Sequence, residues 1–431
     1  MEKDAMNSLK TICAVVASVC GALLAAVPEQ ERTGSIYHSY EAPTEAEAFD
    51  TPPPEGYSPF YISHYGRHGS RRLMDSKAAD IVSNLEKAKS EGMLTGAGLE
   101  LAEAMRPLAA AHAGMKGILT KRGAEEHKGI ARRMAARFPE VFAGGGLVRA
   151  RSSDVHRCIL SMANFTLALK DAAESLDFDL DAGKKYYRLF TYGADVPPVP
   201  TREVAPLKQA FAQKTVAADA LMERLFGGCP KCVKDPVRFA LDLFECASVC
   251  QCLRDELDGG DIYRFFTQDE LEALSRVLLV EHYAFMGCAR EFSKRRIASV
   301  RSLGADIASR ADEAIAHADG SDRRERPVAD FRFGHDGGLW PLTGLLGVEG
   351  AGDIVAAADA WQGCPAWRWM QMGSNLQLVF YRKDAGEVLV KALYNEREVK
   401  LRGLSPVQGA YYRWQDVRTR LLGQNEERNQ Q

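Results

Sequence analysis

Tyr57-Ser58-Pro59-Phe60-Tyr61-Ile62-Ser63-His64-Tyr65-Gly66-Arg67-His68-Gly69-Ser70-Arg71 runs from an apolar stretch into a glycine-bounded turn that holds one imidazole between two guanidiniums. Residues 57–65 predict a strand, and Gly66 opens the turn. Residues 71–91 predict a helix, with Leu73, Ala78, Ile81, Val82, Leu85 and Ala88 near helical spacing. In α/β folds ligands sit at the carboxyl ends of strands, where the next helix adds positive potential. A guanidinium keeps its proton, and its planar fork matches phosphate oxygens two at a time. A neutral imidazole between two of them can attack phosphorus, so the turn points to covalent phosphoryl transfer through His68. The plainer reading is a solvated basic turn.

Cleaving a phosphate monoester through an enzymic nucleophile requires charge stabilisation on the phosphate oxygens and an acid for the leaving alkoxide. Arg67 and Arg71 supply part of the first. Val148 to Arg151 reads as a short strand end, which places Arg151 where an anion clamp would sit. Ser152-Ser153-Asp154 can cap the helix that follows, running to about Ala173. Val328 to Phe333 reads as another strand ending in Gly334-His335-Asp336-Gly337-Gly338. There His335 can donate to a phosphate oxygen. Asp336, beside phosphate charge, can hold a proton for the leaving group.

The bulk composition fits a soluble globular protein: 431 residues, 46% apolar, 26% charged. A net charge of -3 gives no drive toward nucleic acid, so anion binding has to come from a local cluster. Residues 1–27 have the order of a signal peptide. Lys3 and Lys10 precede an apolar run from Thr11 to Val27, with cleavage expected near Ala26 or Val27. The run is short for a membrane span, so a periplasmic or secreted protein is expected, without stable membrane insertion after cleavage. Val19 before Cys20 fits lipoprotein processing poorly.

Residues 28–56 read as an irregular lead-in, 57–174 as the first part of an α/β core, and 175–325 as an inserted, mainly helical domain. Residues 326–423 read as the second part of the core, with a hairpin of 375–382 and 387–394, and 424–431 as a polar tail. Eight cysteines remain past the signal segment: Cys158, Cys229, Cys232, Cys246, Cys250, Cys252, Cys288 and Cys364. Their even number favours some disulfides in an exported protein. Cys229-x-x-Cys232 and Cys250-x-Cys252 invite a zinc reading, but the second pair has the wrong spacing for a zinc ribbon and no histidine sits nearby, so no metal is expected.

These motifs resemble those of the histidine acid phosphatases, whose signature reads RHGxRxP near the amino terminus and HD or HAE near the carboxyl terminus. Here the first reads Arg67-His68-Gly69-Ser70-Arg71-Arg72-Leu73 and the second His335-Asp336. Arg151-Ser152-Ser153-Asp154-Val155-His156-Arg157-Cys158 resembles the middle arginine motif, and Leu119-Thr120-Lys121-Arg122-Gly123 an LT-x-x-G turn. The resemblance spans roughly residues 57 to 415. Its nearest flavour is the bacterial branch related to phytases and multiple inositol polyphosphate phosphatases.

The resemblance implies a mixed α/β sheet core flanked by helices, with a helical domain inserted in its middle. It implies His68 as nucleophile, Asp336 as proton donor, and Arg67, Arg71, Arg151 and His335 as phosphate ligands. No cofactor is implied. Arg72, with Lys121 and Arg122, can widen the positive region for a multiply charged phosphomonoester. Leu73 stands where the signature has proline, which predicts an altered loop path with the chemistry retained. Two other readings stay open: a broad-specificity acid or sugar phosphatase of the same fold, and a phosphate-ligand binding protein without turnover.

Overall fold

The computed structural model describes residues 29–47, 50–191, 199–257, 261–318, 325–384 and 386–423. The expected signal peptide at 1–27 and the polar tail at 424–431 lie outside these residues. Eight strands form one mixed sheet: β1 (Ser58–Arg67), β2 (Gly146–Ser152), β3 (Leu176–Ala182), β4 (Pro327–Gly334), β5 (Asn375–Arg382), β6 (Val388–Tyr394), β7 (Arg397–Glu398) and β8 (Tyr411–Arg413). The order is β3-β2-β4-β1-β5-β6-β7, with β8 paired to β6. β3, β2, β4 and β1 are parallel, and β5 turns antiparallel against β1. The expected hairpin is β5 and β6, registered from Leu376↔Tyr394 to Arg382↔Val388.

Register places the motifs. Arg67 lies opposite Gly334 in the β1–β4 ladder, and Ser152 opposite Phe333 in the β2–β4 ladder. Three parallel strands therefore end side by side, and the turns that follow them share one edge of the sheet. Strand β4 is buried along its whole length, as expected for a central parallel strand covered on both faces. Its charged residues are matched there: Asp330 with Arg149 at 2.6 Å, Arg332 with Asp306 at 2.7 Å.

Two apolar layers cover the sheet. On one face α3 (Lys121–Arg137) and α4 (His156–Ala172) bring Ile130, Met134, Phe165 and Leu169 against Ile62, Val148, Phe331 and Phe333. The larger layer holds α9 (Arg301–His317), α10 (Asp336–Leu346) and α11 (Trp414–Leu421), and continues into a helical region. That region comprises α5 (Thr201–Thr215), α6 (Ala218–Phe226), α7 (Pro236–Cys250) and α8 (Gln268–Met286). The earlier helices α1 (Lys77–Ser90) and α2 (Gly96–His112) pack with α7 and α6, so the helical layer draws on both sides of β2.

Three local expectations change. Residues 176–182 fall in the range read as helical, yet form β3 on the sheet edge. Leu176-Asp177-Phe178-Asp179-Leu180-Asp181 alternates with period two, which suits a half-exposed strand. Helix α1 begins at Lys77, because residues 71–73 pair with 117–119 instead: Arg71 bridges Leu119, and Arg72 N–H donates to Ile118 O at 2.9 Å. The lead-in is also less irregular than its composition suggests, with Ser35, Ile36, Tyr37, His38 and Ser39 all buried. No helix among the described residues is long and apolar enough to cross a membrane.

Candidate active site

The loop after β1 is stitched to its neighbours through the backbone. Arg67 N–H donates to Ser374 O at 2.8 Å, His68 N–H to Gly334 O at 3.0 Å, and Gly373 N–H to His68 O at 2.9 Å. The loop then passes so close to α3 that a Cβ on Gly69 would lie 2.4 Å from the Gly123 carbonyl oxygen. Both glycines are therefore required by contact. Thr120 caps α3 by accepting from Gly123 N–H at 3.2 Å, and its hydroxyl donates to Ser70 O at 3.0 Å. Glu126 accepts from Ser70 N–H at 2.7 Å and from Ser70 Oγ at 2.6 Å. The Leu119 to Gly123 turn thus supports the His68 loop from beneath.

His68 is buried, and its Nδ1 lies 3.0 Å from its neighbour Gly69 O. That contact fits the tautomer with hydrogen on Nδ1, leaving the Nε2 lone pair unshared. Burial first, then the charges of Arg157, Arg67 and Arg71, hold the imidazole well below its ordinary pKa, so it is neutral. The His335 ring lies 5.6 Å away, centroid to centroid. Its pKa falls to about 3, through burial and then Arg157.

Three guanidiniums surround these rings. Arg67 is fully buried; its Nη1 donates to Ile36 O at 2.9 Å and Met370 O at 2.7 Å, and its Nη2 lies 3.3 Å from Asp336 Oδ2. Arg71 donates from Nη1 to Arg72 O at 2.9 Å. Arg157 places Nη2 3.4 Å from His335 Nδ1. The buried Nε atoms of Arg67, Arg71 and Arg157 have no hydrogen-bond partner among the described residues, and Nη2 of Arg67 has its ion pair with Asp336. Unsatisfied charged donors at this depth are costly unless an acceptor enters.

Asp336 is the first residue of α10, a position that favours a negative charge. Burial pushes its carboxyl up, but Arg67, His335, His282 and Arg71 together hold it at about 2. Beside these charges it is a carboxylate. The proton the sequence reading placed there has to arrive with phosphate charge that cancels the guanidiniums.

The structure brings His68, Arg67, Arg71, His335 and Asp336 together. It does not bring Arg151. That side chain pairs with Asp179 of β3, Nη1 on the carbonyl at 2.6 Å and Nη2 on the carboxylate at 2.5 Å. The reason is strand geometry. Arg151 lies inside β2, so its side chain stands on a sheet face, on the same side as Arg149 two residues earlier. Arg157, one turn further on at the start of α4, reaches across the sheet end instead.

Arg72 is likewise taken up, by Ala111 O at 2.9 Å and by Glu256, and Arg122 by Asp255 at 3.3 Å. Neither widens the positive region of the site. The Ser153 side chain, expected to cap α4, approaches His335 Nε2 at 3.2 Å and helps orient the ring. Leu73 packs in the core, and its carbonyl accepts from Gly117 N–H at 2.8 Å. All eight described cysteines are free thiols, so the expected disulfides do not form here. Cys158 sits under the site, its Sγ 3.2 Å from Gly334 O, and burial pushes its thiol up to about 11.

Behind the loop, the His64 ring packs among Phe165, Phe331 and Phe333, and His127 lies against Phe165 and Phe333. Burial lowers His127 from 6.5 to about 4 and also holds His64 well below its ordinary value, with His127 and Arg332 adding repulsion. The unfolded chain thus binds protons to His127 between pH 6.5 and 4 that the folded chain refuses. Stability present above pH 6.5 is lost as pH falls toward 4, by about 3 kcal/mol for His127 alone. Urea denaturation at pH 7 and pH 4 measures this. A His127→Leu protein should lose about 3 kcal/mol less between those two pH values. An unaltered pH dependence would count against the assignment.

No protein-family model matches the chain, and no curated protein sequence matches it significantly. Solved structures do match in fold. The multiple inositol polyphosphate phosphatase of Bifidobacterium longum in complex with phosphate superposes with a TM-score of 0.75 at 21% identity, over 91% of this chain and 98% of that one. Its complex with inositol hexasulfate gives 0.72, over 90% and 97%. The phytase from D. castellii gives 0.68 at 11% identity, over 93% and 89%. The chain therefore shares the α/β fold with a helical domain of these phosphatases.

Proposed function

We propose that the protein is an exported phosphomonoesterase that works through a phosphohistidine on His68, with inositol polyphosphates as its substrate class. One observation carries the reading: three guanidiniums with unsatisfied N–H donors converge beside a neutral imidazole whose Nε2 is unshared. Three positive charges against the one Asp336 carboxylate suit a phosphate dianion. The fold shared with structures that hold phosphate and inositol hexasulfate supports the substrate class. Export is read from residues 1–27 and is tested by the amino-terminal sequence of the mature protein.

In the first step, the Nε2 lone pair forms a bond to phosphorus while the bond from phosphorus to the ester oxygen breaks. The electron pair of that bond goes to the leaving oxygen, which takes the proton from Asp336. Arg67, Arg71, Arg157 and His335 hold the three non-bridging oxygens. Water then attacks phosphorus, Asp336 accepts its proton, and the P–N bond breaks to restore His68. The guanidiniums supply the charge stabilisation, so activity should persist in the presence of a chelator.

The test is rapid mixing with a phosphorus-labelled substrate and an alkaline denaturing quench. Label stable to base, lost in acid and mapped to His68 supports the reading. Its absence during turnover, or binding without turnover, overturns it. Asp336→Asn should lower kcat on inositol hexakisphosphate about 100-fold, and much less on p-nitrophenyl phosphate, whose leaving group needs no proton. Equal losses on both substrates would count against Asp336 as the donor.

A further inference from the structure

We propose that Tyr37 is a positioning residue for Arg71, and that the buried segment carrying it aligns the arginines of the His68 loop before an anion arrives. This inference rests on the phosphomonoesterase reading above and names a residue on which the anion affinity of that site depends.

The Arg71 guanidinium carbon lies 5.3 Å from the centroid of the Tyr37 ring, close enough for a cation–π contact. Both side chains are buried, and desolvation strengthens such a contact. Besides the ring, Arg71 meets the Tyr37 hydroxyl and donates to the carbonyl of the next residue, while its Nε has no hydrogen-bond partner among the described residues. A long side chain held so lightly needs a wall to face the site. The ring is itself held from several sides. Its hydroxyl donates to Glu245 Oε2 at 3.0 Å, and Lys77 Nζ lies 3.3 Å from the same oxygen. The His282 ring meets it edge-on at 6.5 Å, and Cys252 Sγ donates to Tyr37 O at 3.3 Å.

The neighbours of Tyr37 reach the rest of the loop. Ile36 O accepts from Arg67 Nη1 at 2.9 Å. Tyr40 N–H donates to Glu126 at 3.1 Å, the carboxylate that also holds Ser70. His38 O and Ser39 N–H are tied to Met372 N–H at 2.8 Å and Gln251 Oε1 at 3.0 Å. One short run of residues therefore touches Arg67 by a carbonyl, Arg71 by a ring and Ser70 through a carboxylate. Glu245 and His282 belong to α7 and α8, so Tyr37 also ties the helical region to the phosphate site.

The experiment is a double-mutant cycle. Binding of inorganic phosphate by calorimetry, and kcat and KM on p-nitrophenyl phosphate, are measured for wild type, Tyr37→Phe, Tyr37→Leu, Arg71→Ala and the Tyr37→Leu/Arg71→Ala double variant. Tyr37→Leu should weaken phosphate binding and raise KM about 10-fold, with kcat within about threefold. Tyr37→Phe keeps the ring but loses the hydroxyl, and should weaken phosphate binding less than Tyr37→Leu does. In the Arg71→Ala background, Tyr37→Leu should add less than about twofold. If Tyr37→Leu does not fold, Tyr37→Met takes its place with the same expectations. Wild-type affinity in the leucine variant, or an equal loss with and without Arg71, overturns the inference. Absence of wild-type turnover and of phosphohistidine would instead reject the reading of the site, while the phosphate-binding cycle still judges Tyr37.

Discussion

His68→Ala should lower turnover about 10⁴-fold or more while leaving affinity for inorganic phosphate within a few-fold of wild type. The asymmetry follows from the division of labour in the site. The three guanidiniums carry the charge that holds phosphate, and none of them depends on the imidazole for its placement: Arg67 hangs on Ile36 and Met370, Arg71 on Arg72 and Tyr37. The nucleophile is a single lone pair, and the neutral His335 ring 5.6 Å away has its nitrogens turned to Ser153 and Arg157. Cys158 is close but deep, with its thiol pushed up to about 11, so it does not substitute. Steady-state rates with phosphate-binding calorimetry on the same preparation check both halves. A variant that retains the wild-type rate would refute the nucleophile assignment. One that loses phosphate binding as well would show that the imidazole is mainly a ligand.

Arg157→Ala should lower kcat/KM by about 10²- to 10³-fold, whereas Arg151→Ala should change it less than about threefold. Arg157 does two things. It offers a donor at the site, and after burial its charge is the largest influence holding His68 and His335 neutral. Its removal therefore raises the pKa of both imidazoles, and the acid limb of the pH–rate profile moves to higher pH. Arg151 faces a half-exposed carboxylate on the sheet edge, an ion pair worth at most about 1 kcal/mol. The paired measurement is decisive because both residues lie in one short segment. A larger loss for Arg151→Ala would mean that the phosphate lies on the face of β2 and not beyond its end.

The pattern in which the chemistry was legible has a physical cause. His68, Arg67 and Arg71 sit within five residues, so a turn alone brings them together. His335 and Asp336 follow a buried strand that the run Val328 to Phe333 announces. Arg151 and Arg157 lie six residues apart in one arginine-bearing segment, and sequence alone does not separate them. Which arginine reaches the site depends on where strand periodicity gives way to helical periodicity, and that switch falls between them at Val155. Ser153 was expected to cap a helix, and meets His335 because β2 and β4 are neighbours. β3 carried its signal openly in alternating leucine, phenylalanine and aspartate, but the cysteine- and charge-rich helices after it set the tone for the whole stretch.

By itself the sequence determined the α/β class and pointed to a candidate centre at His68, because both are written in local patterns: apolar periodicity in the strands, and charge spacing in the turn between them. Tertiary structure alone decided which distant groups complete the centre. The β2-β4-β1 order puts three strand ends side by side, so Arg157, Ser153 and His335 meet His68 across a sheet edge. Burial then sets their protonation, leaving the imidazoles neutral and Asp336 charged. The same holds for Tyr37. Composition placed it in an irregular lead-in, and only packing against Arg71, Glu245 and His282 makes it part of the site. Local periodicity cannot encode the adjacency of segments hundreds of residues apart, which the sheet order and the packing on it supply.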